Sequence, residues 1–221
     1  LYKDDIKYRL KETVAIESEA SQAIKTMERY KYVLDRSLGN LTILELDNTV
    51  TMYEVATTLQ RFEMLRRIGA EINSYILELG VEGRLLNLQF QNLNQDIEED
   101  EQNLIRDYIP DSMEYKEVKE QISLLDDDEL LGVENFSSAL GYGKTYSTLD
   151  KEVSPRGYRI LGRIGKLTKK DVEKLVNQYN GISKLQDAPD EELSEMKISK
   201  AKIKALKNGL KRMKLTVELE K

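Results

Sequence analysis

Apolar residues recur every three or four positions along most of this chain, which is the period of a helix with one buried face. From Ser18 to Leu38 the stripe Ala20, Ile24, Met27, Tyr30, Leu34 and Leu38 predicts a first helix, with Gly39-Asn40 as its stop. Thr51 followed by Glu54 has the form of a capping box. Val55, Leu59, Phe62, Leu65, Ile68, Ile72, Tyr75 and Leu79 then carry a second helix to Gly80. A third is expected from near Glu82 to Ile109 on Leu86, Phe90, Leu93, Ile97, Leu104 and Tyr108, ended by Pro110. The short turn between the second and third predicts an antiparallel rod about 40 Å long.

Shorter elements follow: Ser112 to Leu125, then an acidic start at Asp126-Asp127-Asp128 leading to Leu140, then a Gly/Ser/Thr-rich stretch from Gly141 to Thr148 that reads as a linker. Tyr158 to Leu161, Lys169 to Tyr179, Asp190 to Glu195 and Ala201 to Met213 read as four brief helices. The opening residues Leu1 to Leu10 look strand-like and, lacking an initiator methionine, like a fragment of something longer. With 3 Pro, 3 Phe and no Trp among 221 residues, the expected class is all-α: an elongated antiparallel helical spine followed by a small helical domain.

Charge divides the chain. Residues 151–221 carry 18 Lys/Arg against 10 Asp/Glu, net +8, which leaves 16 against 30, net −14, for residues 1–150. A basic end on an acidic body points to a polyanion partner for that end. Histidine and cysteine are both absent, which excludes Ser-His-Asp, Cys-His and thiolate-metal chemistry within this chain and fits a reducing, cytoplasmic setting. No apolar run approaches the roughly 20 residues needed to span a bilayer, so no membrane partner is expected.

Two hairpins carry the candidate site. In Arg163-Ile164-Gly165-Lys166-Leu167-Thr168-Lys169-Lys170, Gly165 suits a positive φ, Thr168 can cap the next helix, and four cations ring the turn. The second, Met196-Lys197-Ile198-Ser199-Lys200-Ala201-Lys202, keeps the apolar anchors, a capping serine and the charges but has no glycine. Lys200, Lys204, Lys207 and Lys211 then lie at i, i+4, i+7 and i+11, one basic stripe on the last helix. This is the form of a helix-hairpin-helix module, in which backbone N–H groups at a helix start meet a phosphate and lysines add salt-sensitive affinity. The candidate DNA-binding residues are Arg156, Gly157, Arg163, Gly165, Lys166, Thr168, Lys169 and Lys170, with Lys197, Ser199, Lys200, Lys202, Lys204 and Lys207.

Other motifs carry less. Gly143-Lys144-Thr145 imitates the end of a phosphate-binding loop, but Ser138 stands where its first glycine belongs. The acidic run Asp96 to Glu101 and the cluster Asp126 to Asp128 read as a solvated helix face and a helix-start charge bias. Tyr30, Tyr75, Tyr108 and Tyr179 sit on apolar stripes and read as core.

Four stretches, Thr26-Met27-Glu28-Arg29-Tyr30-Lys31, Leu59-Gln60-Arg61-Phe62-Glu63-Met64, Glu78-Leu79-Gly80-Val81-Glu82-Gly83-Arg84-Leu85-Leu86 and Val153-Ser154-Pro155-Arg156-Gly157-Tyr158-Arg159-Ile160-Leu161, resemble the DisA family, bacterial DNA integrity scanning proteins with diadenylate cyclase activity. The resemblance implies an N-terminal cyclase domain that makes cyclic di-AMP from two ATP with a divalent metal (Mg or Mn), a helical spine, and a C-terminal reader of branched DNA that lowers cyclase activity when occupied. On that basis residues 1–11 are the tail of the cyclase domain, 12–150 the spine and 151–221 the DNA-binding domain. The family's Asp-Gly-Ala and Arg-His-Arg signatures have no counterpart here, so this chain is expected to have no catalytic, metal or cofactor site, and to need the cyclase domain as a partner. The second hairpin departs from the family, with Ile198-Ser199 where relatives carry a Gly-Ile-Gly-like turn. A nucleoid-associated protein, homo-oligomeric at full length, is the resulting expectation. The competing expectations are a scaffold that binds a protein through the spine, and an independent nuclease, which would need clustered carboxylates and a metal.

Overall fold

The computed structural model describes residues 2–220, with side-chain surroundings through Thr216; Leu1 and Lys221, the outer ends of the first and last expected segments, lie outside the described residues. Among those described every regular element is a helix, apart from an isolated antiparallel bridge between Thr51 and Glu152. None of these helices is long and apolar enough to cross a membrane.

The first helix, α1 (Tyr2–Asp47), is longer at both ends than its stripe predicted. The strand-like opening is helical because Tyr2, Ile6, Leu10 and Val14 fall four apart among good helix formers. Gly39-Asn40 does not stop it. A mid-helix glycine costs about 1 kcal/mol. Burying Leu41 and Leu46 just beyond it contributes about 1.5–3 kcal/mol each. The stop is Asn48, left-handed at φ 56, after which the Thr49 N–H returns to the Leu44 carbonyl at 2.9 Å. Half of the expected capping box opens α2 (Met52–Leu79): the Thr51 N–H donates to Glu54 Oε2 at 2.9 Å, and the Thr51 hydroxyl donates to the same carboxylate oxygen.

The anticipated third helix is three pieces: a 3-10 turn (Gly80–Gly83), α3 (Arg84–Asn94) and α4 (Ile97–Tyr108). The break falls at Asp96, left-handed at φ 64, a conformation that aspartate tolerates better than most residues. Two compact units result. One takes residues up to Arg36 with Arg61–Glu98, the other Ser37–Gln60 with residues from Glu99 onward.

In the first unit Ala20, Ile24, Met27 and Leu34 are buried on α1, Phe62, Leu65 and Ile72 on α2, and Leu86 and Phe90 on α3. Gly69 admits Phe90, whose ring edge would lie 3.3 Å from a Cβ there. Tyr30 does not join this core; it is exposed, and its stripe continues through its neighbours instead.

In the second unit α5 (Tyr115–Ser123), α6 (Asp127–Leu130), α7 (Val133–Ala139) and α8 (Tyr146–Leu149) follow. Asp126 and Glu129 close a capping box on α6, so the acidic cluster there serves a helix start. The stretch Gly141 to Thr148 is fastened down: the Tyr142 hydroxyl donates to the Tyr108 carbonyl at 2.8 Å, Lys151 lies over the Tyr142 ring, and Thr145 caps α8. The remaining helices are α9 (Tyr158–Gly162), α10 (Lys169–Tyr179), α11 (Ile182–Gln186), α12 (Asp190–Glu195) and α13 (Lys200–Glu220). Sequence periodicity missed α11, which is five residues long and anchored only by Ile182 and Leu185. The core of these five helices also includes Leu46 of α1, with Ile43 packed against it.

Candidate nucleic-acid interface

The segment that enters α9 is built for docking. Gly157 has φ 119, and a Cβ there would stand 2.8 Å from Ile182 Cδ1. Its N–H and that of Tyr158 donate to Asp107 Oδ1 at 2.8 and 2.6 Å, while the Arg159 N–H donates to Asp107 Oδ2 at 3.2 Å. The orphan donors of this helix start are thus met by a carboxylate of α4. Arg156 donates to the Ile109 carbonyl at 2.9 Å and pairs with Asp111 at 2.6 Å. The structure therefore places Arg156 and Gly157, both candidate DNA contacts by sequence, in internal hydrogen bonds.

Beneath them lies a buried ionic cluster. The Arg159 side chain is fully buried, pairs with Glu45 and donates to Thr42 Oγ1 at 3.0 Å, and the Tyr108 hydroxyl donates to Glu45 Oε1 at 2.7 Å. Burial, with Glu45 adding to it, raises the Asp107 pKa to about 7 against the opposing pull of Arg159 and the N–H donors. Burial and then Glu45 likewise push the Tyr108 hydroxyl well above its ordinary value. Neither Glu45 nor Asp107 stood out in the sequence; the partners of Glu45 are 63 and 114 residues away and those of Asp107 50 to 52.

The two hairpins match residue for residue. Lys166-Leu167-Thr168-Lys169-Lys170-Asp171-Val172 corresponds to Lys197-Ile198-Ser199-Lys200-Ala201-Lys202-Ile203. In the first, Thr168 and Asp171 form a reciprocal capping box on α10: the Asp171 N–H donates to Thr168 Oγ1 at 3.2 Å and the Thr168 N–H to Asp171 Oδ2 at 2.8 Å. In the second, Ser199 Oγ accepts from the Lys202 N–H at 3.4 Å. Each cap leaves the next backbone N–H groups, those of Lys169 and Lys170 and of Lys200 and Ala201, at an exposed helix start. Gly165 does not take the positive φ expected of it. The left-handed residue is Lys197, at φ 62 in the glycine-free turn, held by its N–H to the Ser194 carbonyl at 3.0 Å.

The third residues of the two helices join the hairpins, since Lys202 Nζ lies 2.7 Å from Asp171 Oδ2. Burial alone would raise Asp171, but the hydrogen bonds from Lys202 and Thr168, with the Lys202 charge, hold its pKa down at about 2. Lys202 is therefore engaged inside the protein. Lys207 pairs with Asp190, Arg163 with Asp100 at 3.5 Å, and Lys169 with Glu99 at 3.4 Å. The acidic run of α4 is accordingly not a purely solvated face. Lys166, Lys170, Lys197, Lys200 and Lys204 are exposed and form no ion pair among the described residues.

Between the first turn and α13 is a cleft of about 590 Å³ lined by Arg163, Lys166, Lys204, Arg212, Asn208 and otherwise small or apolar residues. Arg212 and Gly209 were not singled out by sequence. The signal for Gly209 is a glycine inside a helix: a Cβ there would lie 3.1 Å from Ile164 Cγ1, so the glycine lets the first turn seat on α13. Among the described residues no group of three or more carboxylates could hold a metal ion.

Residues 10–149 match the family model described as the DisA bacterial checkpoint controller linker region. The whole chain is 51% identical to the DNA integrity scanning protein DisA of Fusobacterium nucleatum subsp. nucleatum, covering 63% of that protein. It is 44% identical to that of Clostridium perfringens, covering 62%, and 40% identical to that of Clostridium botulinum, covering 63%, again over the whole chain. The chain thus spans less than two thirds of the length of these relatives.

Proposed function

Because the chain belongs to the DisA family, we propose that it is a DNA-binding sensor and regulatory region. It meets branched DNA through the phosphate-facing starts of α10 and α13. In the whole protein it controls a diadenylate cyclase that joins two ATP molecules into cyclic di-AMP with the help of a divalent metal. Residues 151–221 do the reading, and the helices before them relay occupancy to the cyclase domain.

The observation that carries this is the matched pair of capped hairpins, tied by Lys202 and Asp171, each presenting exposed lysines beside backbone N–H groups. Such an arrangement grips phosphates without reading bases, which suits a protein that surveys DNA by shape. Fluorescence anisotropy with a labelled four-way junction and a matched duplex at two salt concentrations tests it. Tighter, salt-sensitive binding to the junction is expected; absence of binding to either DNA at low salt would reject the reading.

A further inference from the structure

The hairpin N–H groups are not the only surface suited to a polyanion. The floor of the cleft between the first turn and α13 is Ile164, Ala201, Ala205 and Gly209, and its rim holds Arg163, Lys166, Lys204 and Arg212. Its lining includes no aspartate or glutamate. Three of the four cations, Lys166, Lys204 and Arg212, are exposed and form no ion pair among the described residues, and Arg163 reaches only Asp100, at 3.5 Å. The neighbouring cleft along α13 shares Lys204 and holds Lys200 and Lys207, but Asp190 and Glu191 also line it, so the positive potential is less offset on the Arg163 side.

Lys204 and Arg212 are eight residues apart on α13, about 12 Å at 1.5 Å per residue, so the rim spans more than one phosphate. The small floor residues leave room for a sugar between them, and a furanose ring has apolar faces to lay there. We infer that this cleft holds the sugar–phosphate backbone of one nucleic-acid strand, with Lys166, Lys204, Arg212 and Arg163 neutralising successive phosphates. This surface adjoins the start of α13 at Ala201 and extends along that helix to Arg212, beyond the helix-start N–H groups. It also makes the hairpins unequal, because the first turn becomes one wall of a groove while the second lies among acidic residues of α12.

This inference rests on the DNA-binding reading above and is tested by salt titration of duplex binding. The variant Lys204→Gln with Arg212→Gln is compared with wild type and with Lys7→Gln plus Lys11→Gln, a charge-matched change on exposed residues of α1. The expected result is retained but weaker binding, with the log–log salt slope reduced by about 1.8, or about 0.9 for each phosphate that is no longer neutralised. The α1 variant keeps the wild-type slope, and the thermal midpoints of all three proteins agree. A cleft variant that keeps wild-type slope and affinity overturns the inference and leaves the DNA-binding reading standing. A wild type that binds no DNA overturns both. Displacement of the DNA by poly-glutamate as efficiently as by unlabelled duplex, at equal charge, overturns it in favour of an acidic protein partner.

Discussion

Lys202 and Asp171 occupy the same position in two matching hairpins, three residues after the caps Ser199 and Thr168, and meet at 2.7 Å. The pair links α10 to α13 at the end where both helices start. Its lysine is thereby committed to structure, and its carboxylate also completes the cap of α10.

Only strong acid should break this link. Asp171 is held at about 2, below the ordinary aspartate value of 3.8, so its contribution is present above pH 4 and is lost as pH falls from about 4 to 2. Lys202→Met should remove on the order of 1–2 kcal/mol at neutral pH and flatten the loss between pH 4 and 2. Urea unfolding at several pH values reads both effects, while DNA affinity should change little.

Asp107 should act in the opposite direction. Its pKa is raised to about 7 in the folded protein, so the stabilisation is complete below about pH 4 and is lost as pH rises through 7. Asp107→Asn keeps an acceptor for the Gly157 and Tyr158 N–H groups and cannot ionise. It should abolish a pH-dependent loss on the order of 1–3 kcal/mol across pH 4–8, read by thermal unfolding.

Gly157 and Gly165 should respond differently to alanine. At Gly157 a methyl group meets Ile182 and a φ of 119, so Gly157→Ala should cost at least about 2 kcal/mol. Gly165 has open space and no positive φ, so Gly165→Ala should change stability by no more than about 0.5 kcal/mol. Denaturant midpoints at constant m-value settle both.

The start of α4 should compete with DNA. Glu99 and Asp100 pair with Lys169 and Arg163 of the first hairpin, and exposed pairs of this kind are worth about 0.2–1 kcal/mol. Glu99→Gln with Asp100→Asn should tighten duplex binding about two- to fivefold at low salt, an effect that shrinks as salt is added.

The helices were legible because their signals are local. The stripe from Val55 to Leu79 and the caps at Thr51, Thr168 and Ser199 all lie within a few residues of what they organise. What the sequence hid depends on distant partners. Gly39-Asn40 reads as a stop until Leu41 and Leu46 are seen to be buried, and the latter joins a core supplied mostly by residues beyond 157. The stretch Val153 to Leu161 reads as the opening of a DNA module, whereas Asp107, Asp111 and Glu45 engage its Arg156, Gly157 and Arg159. Within the candidate site the hairpin cations were visible as charge. Which of them are neutralised was not, since Asp171, Asp190, Glu99 and Asp100 are brought to them only by the fold.

The most direct test of the central claim, that the paired hairpins bind DNA phosphates, is anisotropy on a labelled four-way junction with charge reversed at each hairpin in turn. Lys169→Glu with Lys170→Glu alters one, Lys197→Glu with Lys200→Glu the other, and circular dichroism verifies the helices. Each pair is predicted to weaken binding at least tenfold and to lower the salt slope while helicity is unchanged. Wild-type affinity and slope in both variants would contradict the claim.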